Sequence, residues 1–464
     1  MRLVCKSGFR FWPVVLVLTF ILAFVEPALA GDCRGLDGLC MPQYATEGCP
    51  LSGCGSLEVG AARVDVTPDH SVIMGGYGVY FWNIKNCRWS DGVQDPLYAT
   101  ALAFRHGTSA LVLIELDQVG LVSPDVREVR DGVAARLHID MGQVIVASTH
   151  THHAPDTMGL WGTLQPAASG RDEKYMSWMK ARAVEAGVQA YQNTRPAKLY
   201  RQIGEETELH WNENITEDPH APIDHTLTVL KAVGQDGKTI ATLTNWACHP
   251  TTEDMPNRKI SSDWVGVFYQ QMAKKSEGVH MYVNGAIGGS IQPSVPWRDA
   301  NLHGEGQGFV WAKAVGERIA DKAFSLSQSA TEMPVDGIAV RNAVVTTQMR
   351  NLVFRLGKAF GLLTLEVPGL YGKINTTVTA VKMNQLRFGT MPGEMAPNLG
   401  MQIRQALGGD TQIMVGLGQD ALGYILDENQ YHNKVYGYEK MLCMGPKFGA
   451  QVVEAYHKGL KIED

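Results

Sequence analysis

Residues 110–116 (ALVLIEL) form an unbroken apolar run interrupted by a single acid, too short for a helix, and predict a buried strand. Residues 143–148 repeat the pattern around Val144-Ile145-Val146-Ala147. Ser123-Pro124-Asp125 between them carries helix-start chemistry, so a helix is expected to join the two strands. Over residues 171–193 the period changes. Tyr175, Met179, Ala183, Ala186 and Ala190 fall on one helical face. Residues 240–247 and 279–283 read as strands, with a helix opening at Asp263 between them and another over 308–326. Residues 336–347 and 376–390, rich in Val and Thr, each read as a strand. Residues 412–417 are another strand, and 446–458 a last helix. The pattern predicts a mixed α/β fold, with sheets flanked by helices.

The N-terminus is of a different kind. Arg2, Lys6 and Arg10 precede an apolar stretch over residues 11–25 and the small-residue pattern Ala28-Leu29-Ala30. This reads as a secretory signal peptide, residues 1–30, cut after Ala30. A secreted or periplasmic protein is therefore expected. Residues 31–56 form a Cys-rich lead-in in which Cys33, Cys40, Cys49 and Cys54 suit two disulfides of undetermined pairing. Cys87, Cys248 and Cys443 remain, an odd number, and Cys248 reads as a small buried hydrophobe. No linker, repeat or low-complexity stretch divides residues 57–464, so one large catalytic domain is expected there. A net charge of -6 without a basic cluster excludes a general nucleic-acid partner.

Candidate chemistry sits at strand ends. Ser148-Thr149-His150-Thr151-His152-His153 follows one predicted strand, and His150 and His152 are spaced to point the same way. Imidazole is a common ligand of zinc. His249 directly follows the strand at 240–247, and Glu394 follows the strand at 376–390 across a Pro-Gly turn. Loops held by a rigid scaffold are where chemistry concentrates. A His-x-His pair after a strand also opens amidohydrolase barrels and metallo-β-lactamase folds. The first would place the pair near the chain start. The second wants an Asp two residues past His152, whereas Asp156 falls four past it.

Further motifs join these in order. Gly60-Ala61-Ala62-Arg63-Val64-Asp65-Val66-Thr67-Pro68 opens the series with Met74-Gly75-Gly76-Tyr77. Then come His150-Thr151-His152, His249-Pro250-Thr251 with Ser261-Ser262-Asp263, Pro392-Gly393-Glu394, and the segment from Tyr424 to Tyr431. Together they resemble the neutral/alkaline non-lysosomal ceramidase family. The resemblance implies one zinc per chain held by His150, His249, Glu394 and Tyr424, with Tyr431, Tyr436 and Tyr438 as alternatives to the last. It implies amide hydrolysis by zinc-activated water, with His152 near the metal as a catalytic helper. Asp263 is a candidate for orienting a ligand histidine or capping a helix, and Ser290 for a polar active-site residue.

Departures from the family narrow what is implied. Asn284-Gly285-Ala286-Ile287-Gly288-Gly289-Ser290 fits the family's segment loosely. Trp211-Asn212-Glu213-Asn214 replaces a segment bearing a substrate-facing arginine. The chain ends at Asp464, and no counterpart of the C-terminal β-sandwich of longer members is expected. The expected substrate is thus an N-acyl amide, ceramide or a related lipid. The alternatives are a non-lipid amide or ester, or a non-catalytic secreted binding protein on the same scaffold. Residues 79–82, Leu160-Trp161, Leu363 and the stretch 359–370 are candidates for a greasy pocket or a lip touching a membrane peripherally. Asn214-Ile215-Thr216 and Asn375-Thr376-Thr377 are glycosylation sequons.

Overall fold

The computed structural model describes residues 39–40, 56–78, 87–164, 166–294, 307–363 and 372–460. The signal peptide, Cys33, Cys49, Cys54, Trp82 and most of the stretch 359–370 lie outside the described residues. All that is described falls in one unit, Leu36–Asp464.

The larger sheet contains β1 (Glu58–Asp65), β2 (Tyr98–His106), β3 (Ser109–Leu116), β4 (Val144–Ser148), β5 (Arg195–Glu205), β6 (Thr226–Gly234), β7 (Thr239–Trp246) and β8 (Val279–Asn284). Their order across the sheet is β8-β7-β6-β5-β1-β2-β3-β4, and Thr331–Met333 adds a short strand beside β5. The pairs β3/β4 and β7/β8 are parallel, the others antiparallel. The smaller sheet runs β9 (Ala339–Gln348), β10 (Lys373–Met383), β11 (Leu386–Thr390) and then β13 (Thr411–Val415), the last pair parallel. Between β11 and β13 in sequence lies β12 (Glu394–Met395), which pairs in parallel with β14 (Tyr424–Ile425).

Alternation along the strands sets the layering. On β3, Leu111 and Leu113 face the smaller sheet, where Phe388, Ile413 and Val415 meet them. Val112 and Ile114 face the other way, onto α1 (Ser123–Leu137) and α2 (Glu173–Gln192). The two sheets therefore stack over a shared apolar layer, as two-sided burial of continuous apolar strands requires. Helices α3 (Trp264–Lys275) and α4 (Gln307–Gln328) cover β6 to β8 through Trp264, Phe268, Val315 and Ile319. Helices α6 (Pro397–Leu407) and α7 (Phe448–Lys458) cover the outer face of the smaller sheet through Leu399, Ile403, Val452 and Tyr456. The short helix α5 (Leu352–Ala359) leaves the end of β9.

The expected elements are present with ends shifted by a few residues, apart from one reading that needs correction. Residues 376–390 are a hairpin, β10 and β11, not one strand. Asn384 at its tip has φ 53, a conformation that Asn tolerates better than most residues. Strands β1, β2, β5 and β6 were not among the expected elements. β5 is largely half-exposed, so it carries almost no apolar alternation.

The connectivity brings five strand ends to one place. Beyond the carboxyl end of β4 comes His150, beyond β7 His249, beyond β11 Glu394 and beyond β13 the loop to Tyr424. β8 ends at Asn284 among them. Backbone bonds tie the ends together, Gly416 N–H to the Asn284 carbonyl and Gln419 N–H to the Val146 carbonyl.

Candidate metal centre

His150 and His249 are held alike. The Nδ1–H of His150 donates to the Val119 carbonyl. That of His249 donates to the Ile291 carbonyl at 2.7 Å. Each ring is thereby locked with its Nε2 lone pair facing inward. Both lone pairs face one oxygen of Glu394: His249 Nε2 lies 3.1 Å and His150 Nε2 3.5 Å from Oε2. Tyr424 is the register partner of Glu394 across β12/β14, so backbone pairing sets its phenol beside that carboxylate.

The electrostatics follow from this crowding. Burial by itself raises the Glu394 carboxyl. The imidazoles of His150 and His249 outweigh it and hold the group well below the usual carboxylate range. The Tyr424 hydroxyl is pushed well above the ordinary phenol range, first by burial and then by Glu394. His152 is pushed well below the usual imidazole range by burial and by its two neighbouring histidines.

The donor set fits a metal ion. Two imidazole lone pairs aimed at a carboxylate oxygen are acceptors facing an acceptor, which is unfavourable unless a cation or proton lies between them. Imidazole, carboxylate and phenolate oxygen are ligands that a borderline divalent cation takes. His152 also reaches the cluster, with its Nε2 3.2 Å from His150 Nε2. His150, His152 and His249 offer ligand atoms within 4.8 Å of one another and could hold a metal. The ring of His152 is braced edge-on by Tyr77, 4.8 Å between centroids, and by Gly76. Gly76 has φ 104, and a Cβ there would sit 2.4 Å from the His152 ring.

Other expected site residues divide. His153 turns away, its Nε2 3.0 Å from the Asp254 carbonyl. Asp263 makes no contact with either Nδ1. It caps α3 through Trp264 N–H at 2.7 Å and accepts from the backbone N–H groups of Thr252 and Glu253. Its work is to pin the loop after His249, at φ 58. Ser290 lies in the wall of the adjoining cavity and donates to Glu439 at 3.2 Å. Of the other tyrosines, Tyr436 donates to Asp218 at 3.1 Å. Tyr431 meets His432 edge-on with centroids 5.4 Å apart. Tyr438 packs edge-on against Tyr424. Leu363 is buried core against Gly357 rather than pocket lining. The sequon at Asn214 is turned inward, its amide donating to Gly289 and Glu439.

Asn284 supports the site although the motifs give it no role of its own. Fully buried at the end of β8, its Nδ2 donates to the carbonyls of Thr149 and Cys248 at 2.9 and 3.2 Å. Its Oδ1 accepts from the N–H of Cys248 and Gly285. One amide thus ties together the residues preceding both histidines. An Asn closing a buried strand is the sequence signal that could have found it, because a buried amide must spend its hydrogen bonds on something.

Two cavities flank the cluster. One, of about 780 Å³, is lined by His152, His249, Glu213, Asn214, Ser290 and Trp311 among others. No Lys or Arg is among its described lining residues. The second, on the His150 and Glu394 side, is closed by Met158, Leu160, Trp161, Phe354, Leu417 and Leu442.

The sequence profile described as "Neutral/alkaline non-lysosomal ceramidase, N-terminal" matches residues 57–293, a span that includes both histidines and excludes Glu394 and Tyr424. Neutral ceramidase B of Dictyostelium discoideum is 25% identical over 240 residues, 46% of this chain and 31% of that protein. Neutral ceramidase A of the same organism is 26% identical over 149 residues, 29% of this chain and 20% of that protein. The match thus spans at most about a third of these relatives. The crystal structure of neutral ceramidase from Pseudomonas aeruginosa superposes with a TM-score of 0.70 at 18% identity, over 88% of this chain and 75% of the other. A ceramidase complexed with C2 superposes with a TM-score of 0.71 at 18% identity, over 88% and 76%.

Proposed function

The chain belongs to the neutral/alkaline non-lysosomal ceramidase family, and from that premise we propose that it is a secreted zinc-dependent hydrolase of N-acyl amides. One observation carries the reading: His150 and His249, from two different strand ends, present Nε2 to the same oxygen of Glu394. His150, His249, Glu394 and Tyr424 are the proposed ligands of one zinc. When bound, zinc supplies Lewis-acid activation of water and of the amide carbonyl.

The chain's own groups do the rest. Val119 and Ile291 hold the two imidazoles in the tautomer that leaves Nε2 free. His152, braced by Tyr77, offers Nε2 at the mouth of the larger cavity, where it can hold a proton during acyl transfer. Asn214 and Ser290 hold the Glu439 carboxylate in the wall of the larger cavity, where it can meet a polar part of a substrate. The apolar chamber behind His150 excludes water on the other side. Ceramide or a related N-acyl lipid is the proposed substrate, in keeping with the family. Secretion rests on the N-terminal pattern of residues 1–30. Among the described residues no helix is long and apolar enough to cross a membrane.

Metal analysis combined with a series of N-acyl amides of rising chain length tests the proposal. One zinc per chain is expected. The catalytic efficiency should rise with acyl length, because each buried methylene contributes roughly 0.8 kcal/mol. Metal-free protein with full activity would overturn the zinc. A flat response to chain length would remove the lipid and leave a hydrolase of polar amides or esters.

A further inference from the structure

Twelve large apolar side chains of the described surface stand exposed, and four of them lie on two adjoining segments that also wall the chamber behind His150. On α5 and just after it, Leu352 is 59% and Phe360 63% exposed. The short helix Gly437–Met441 adds Met441, 40% exposed, and Tyr438. The two segments are joined directly. Asn351 Nδ2 donates to the carbonyls of Met441 and Cys443, and Arg350 N–H donates to Met444.

Charge on this face runs against the chain as a whole. The protein's net charge is -6, yet residues 350–363 hold Arg350, Arg355 and Lys358 with no Asp or Glu. Residues 431–447 hold Lys434, Lys440 and Lys447 with a single acid, Glu439. That acid is buried and turned to the cavity wall, where Asn214 and Ser290 meet it. Arg350, Lys434, Lys440 and Lys447 are exposed. Exposed apolar side chains on segments that also carry exposed cations, in a protein of net negative charge, match the interface of an anionic bilayer, which accepts apolar groups between its headgroups and attracts lysine and arginine. A protein partner would need no such reversal of charge.

The same elements line the way to the site. Phe354 of α5, Tyr438 and Leu442 wall the chamber that His150 and Glu394 close from the other side. We propose that the face formed by α5 and the Gly437–Met441 segment is a docking surface for anionic lipid bilayers, placing the cavity mouth at the membrane. Its value for catalysis rests on the proposed N-acyl amide hydrolase, but the binding itself does not.

The experiment is sedimentation of the full secreted chain with vesicles of phosphatidylcholine alone, or of phosphatidylcholine with an equal part of phosphatidylglycerol. Binding is expected to the anionic vesicles, about tenfold or more above the neutral ones, and to fall as salt is added. Leu352→Asp with Phe360→Asp should abolish it, while circular dichroism and cleavage of a short-chain soluble amide stay as in the parent. Lys358→Glu with Lys440→Glu should lower binding about tenfold or more. His150→Ala, which would disable the hydrolase, should still bind, so the two readings fail separately. Equal binding to both vesicle types, or unchanged binding by the Leu352/Phe360 variant, overturns the proposal. So does failure to bind either vesicle while the protein self-associates through this face.

Discussion

The two histidines follow strands of the larger sheet, and Glu394 and Tyr424 lie on a separate two-stranded pair that follows strands of the smaller sheet. Each histidine is fixed by a strand end and one backbone carbonyl. Glu394 and Tyr424 are register partners in a two-residue parallel pair, and Gly288 N–H adds one bond to the Met395 carbonyl beside them. The histidine half is overdetermined, down to an amide from Asn284 and a strained His150 at φ 70. The carboxylate half depends on how the smaller sheet sits on the larger. A centre of this kind is assembled only when the apolar layer between the sheets is complete.

The comparison predicts unequal consequences when each half is cut. His150→Ala should cost the most: metal content measured by emission spectrometry falls to near background, and activity drops on the order of a thousandfold. Glu394→Gln removes charge from the other half and leaves two lone pairs facing a neutral amide. Comparable metal loss in the two variants would mean the halves contribute equally. A variant that kept its metal would place Glu394 outside the ligand set. His152→Ala should retain the metal and lose about a hundredfold in rate, because a positioned proton carrier is gone. Should His152→Ala lose the metal while Glu394→Gln keeps it, the three histidines alone form the site.

Asn284→Ala tests the overdetermination. Metal affinity should fall about tenfold to a hundredfold, the range for groups that orient ligands. A calorimetric midpoint should also drop, since Thr149 and Cys248 lose a buried partner worth about 1–3 kcal/mol. Asn284→Asp, which keeps the acceptor and loses the donor, should recover the part carried by the N–H of Cys248 and Gly285. Tyr424→Phe is expected to do least. Metal affinity should fall, less than for His150→Ala, and kcat should fall about tenfold with little change in KM. Unaltered kcat would make the phenol a packing group against Tyr438.

Legibility in the sequence followed how local each feature is. Strands β3 and β4 are legible because burial on both faces makes them nearly all apolar, and β7 and β8 because their buried Ile, Leu, Met and Val still dominate. β5 did not, being half-exposed and charged. His150 and His249 could be picked out because strand-end histidines before a Thr or Pro are unusual in composition. Asp263 is open from the sequence to either role, orienting a ligand histidine or capping a helix; in the structure it caps α3, and carbonyls from distant loops take both Nδ1 atoms. Glu394 can be picked out as an acid beyond a strand and a Pro-Gly turn, whereas Tyr424 is singled out only by the family resemblance.

By itself the sequence determined the alternation of strand and helix, the two-sided burial that calls for stacked sheets, and the residue types able to hold a metal. These depend on period and side-chain chemistry, which are properties of short windows. The tertiary structure alone decided that Glu394 meets both imidazoles, that His153 faces away from His152, and that Asn284 joins two chain segments. Most of those contacts span over a hundred residues of chain, and the shortest, Asn284 to Cys248, spans 36. They depend on sheet order, and sheet order depends on how every apolar face finds its cover at once.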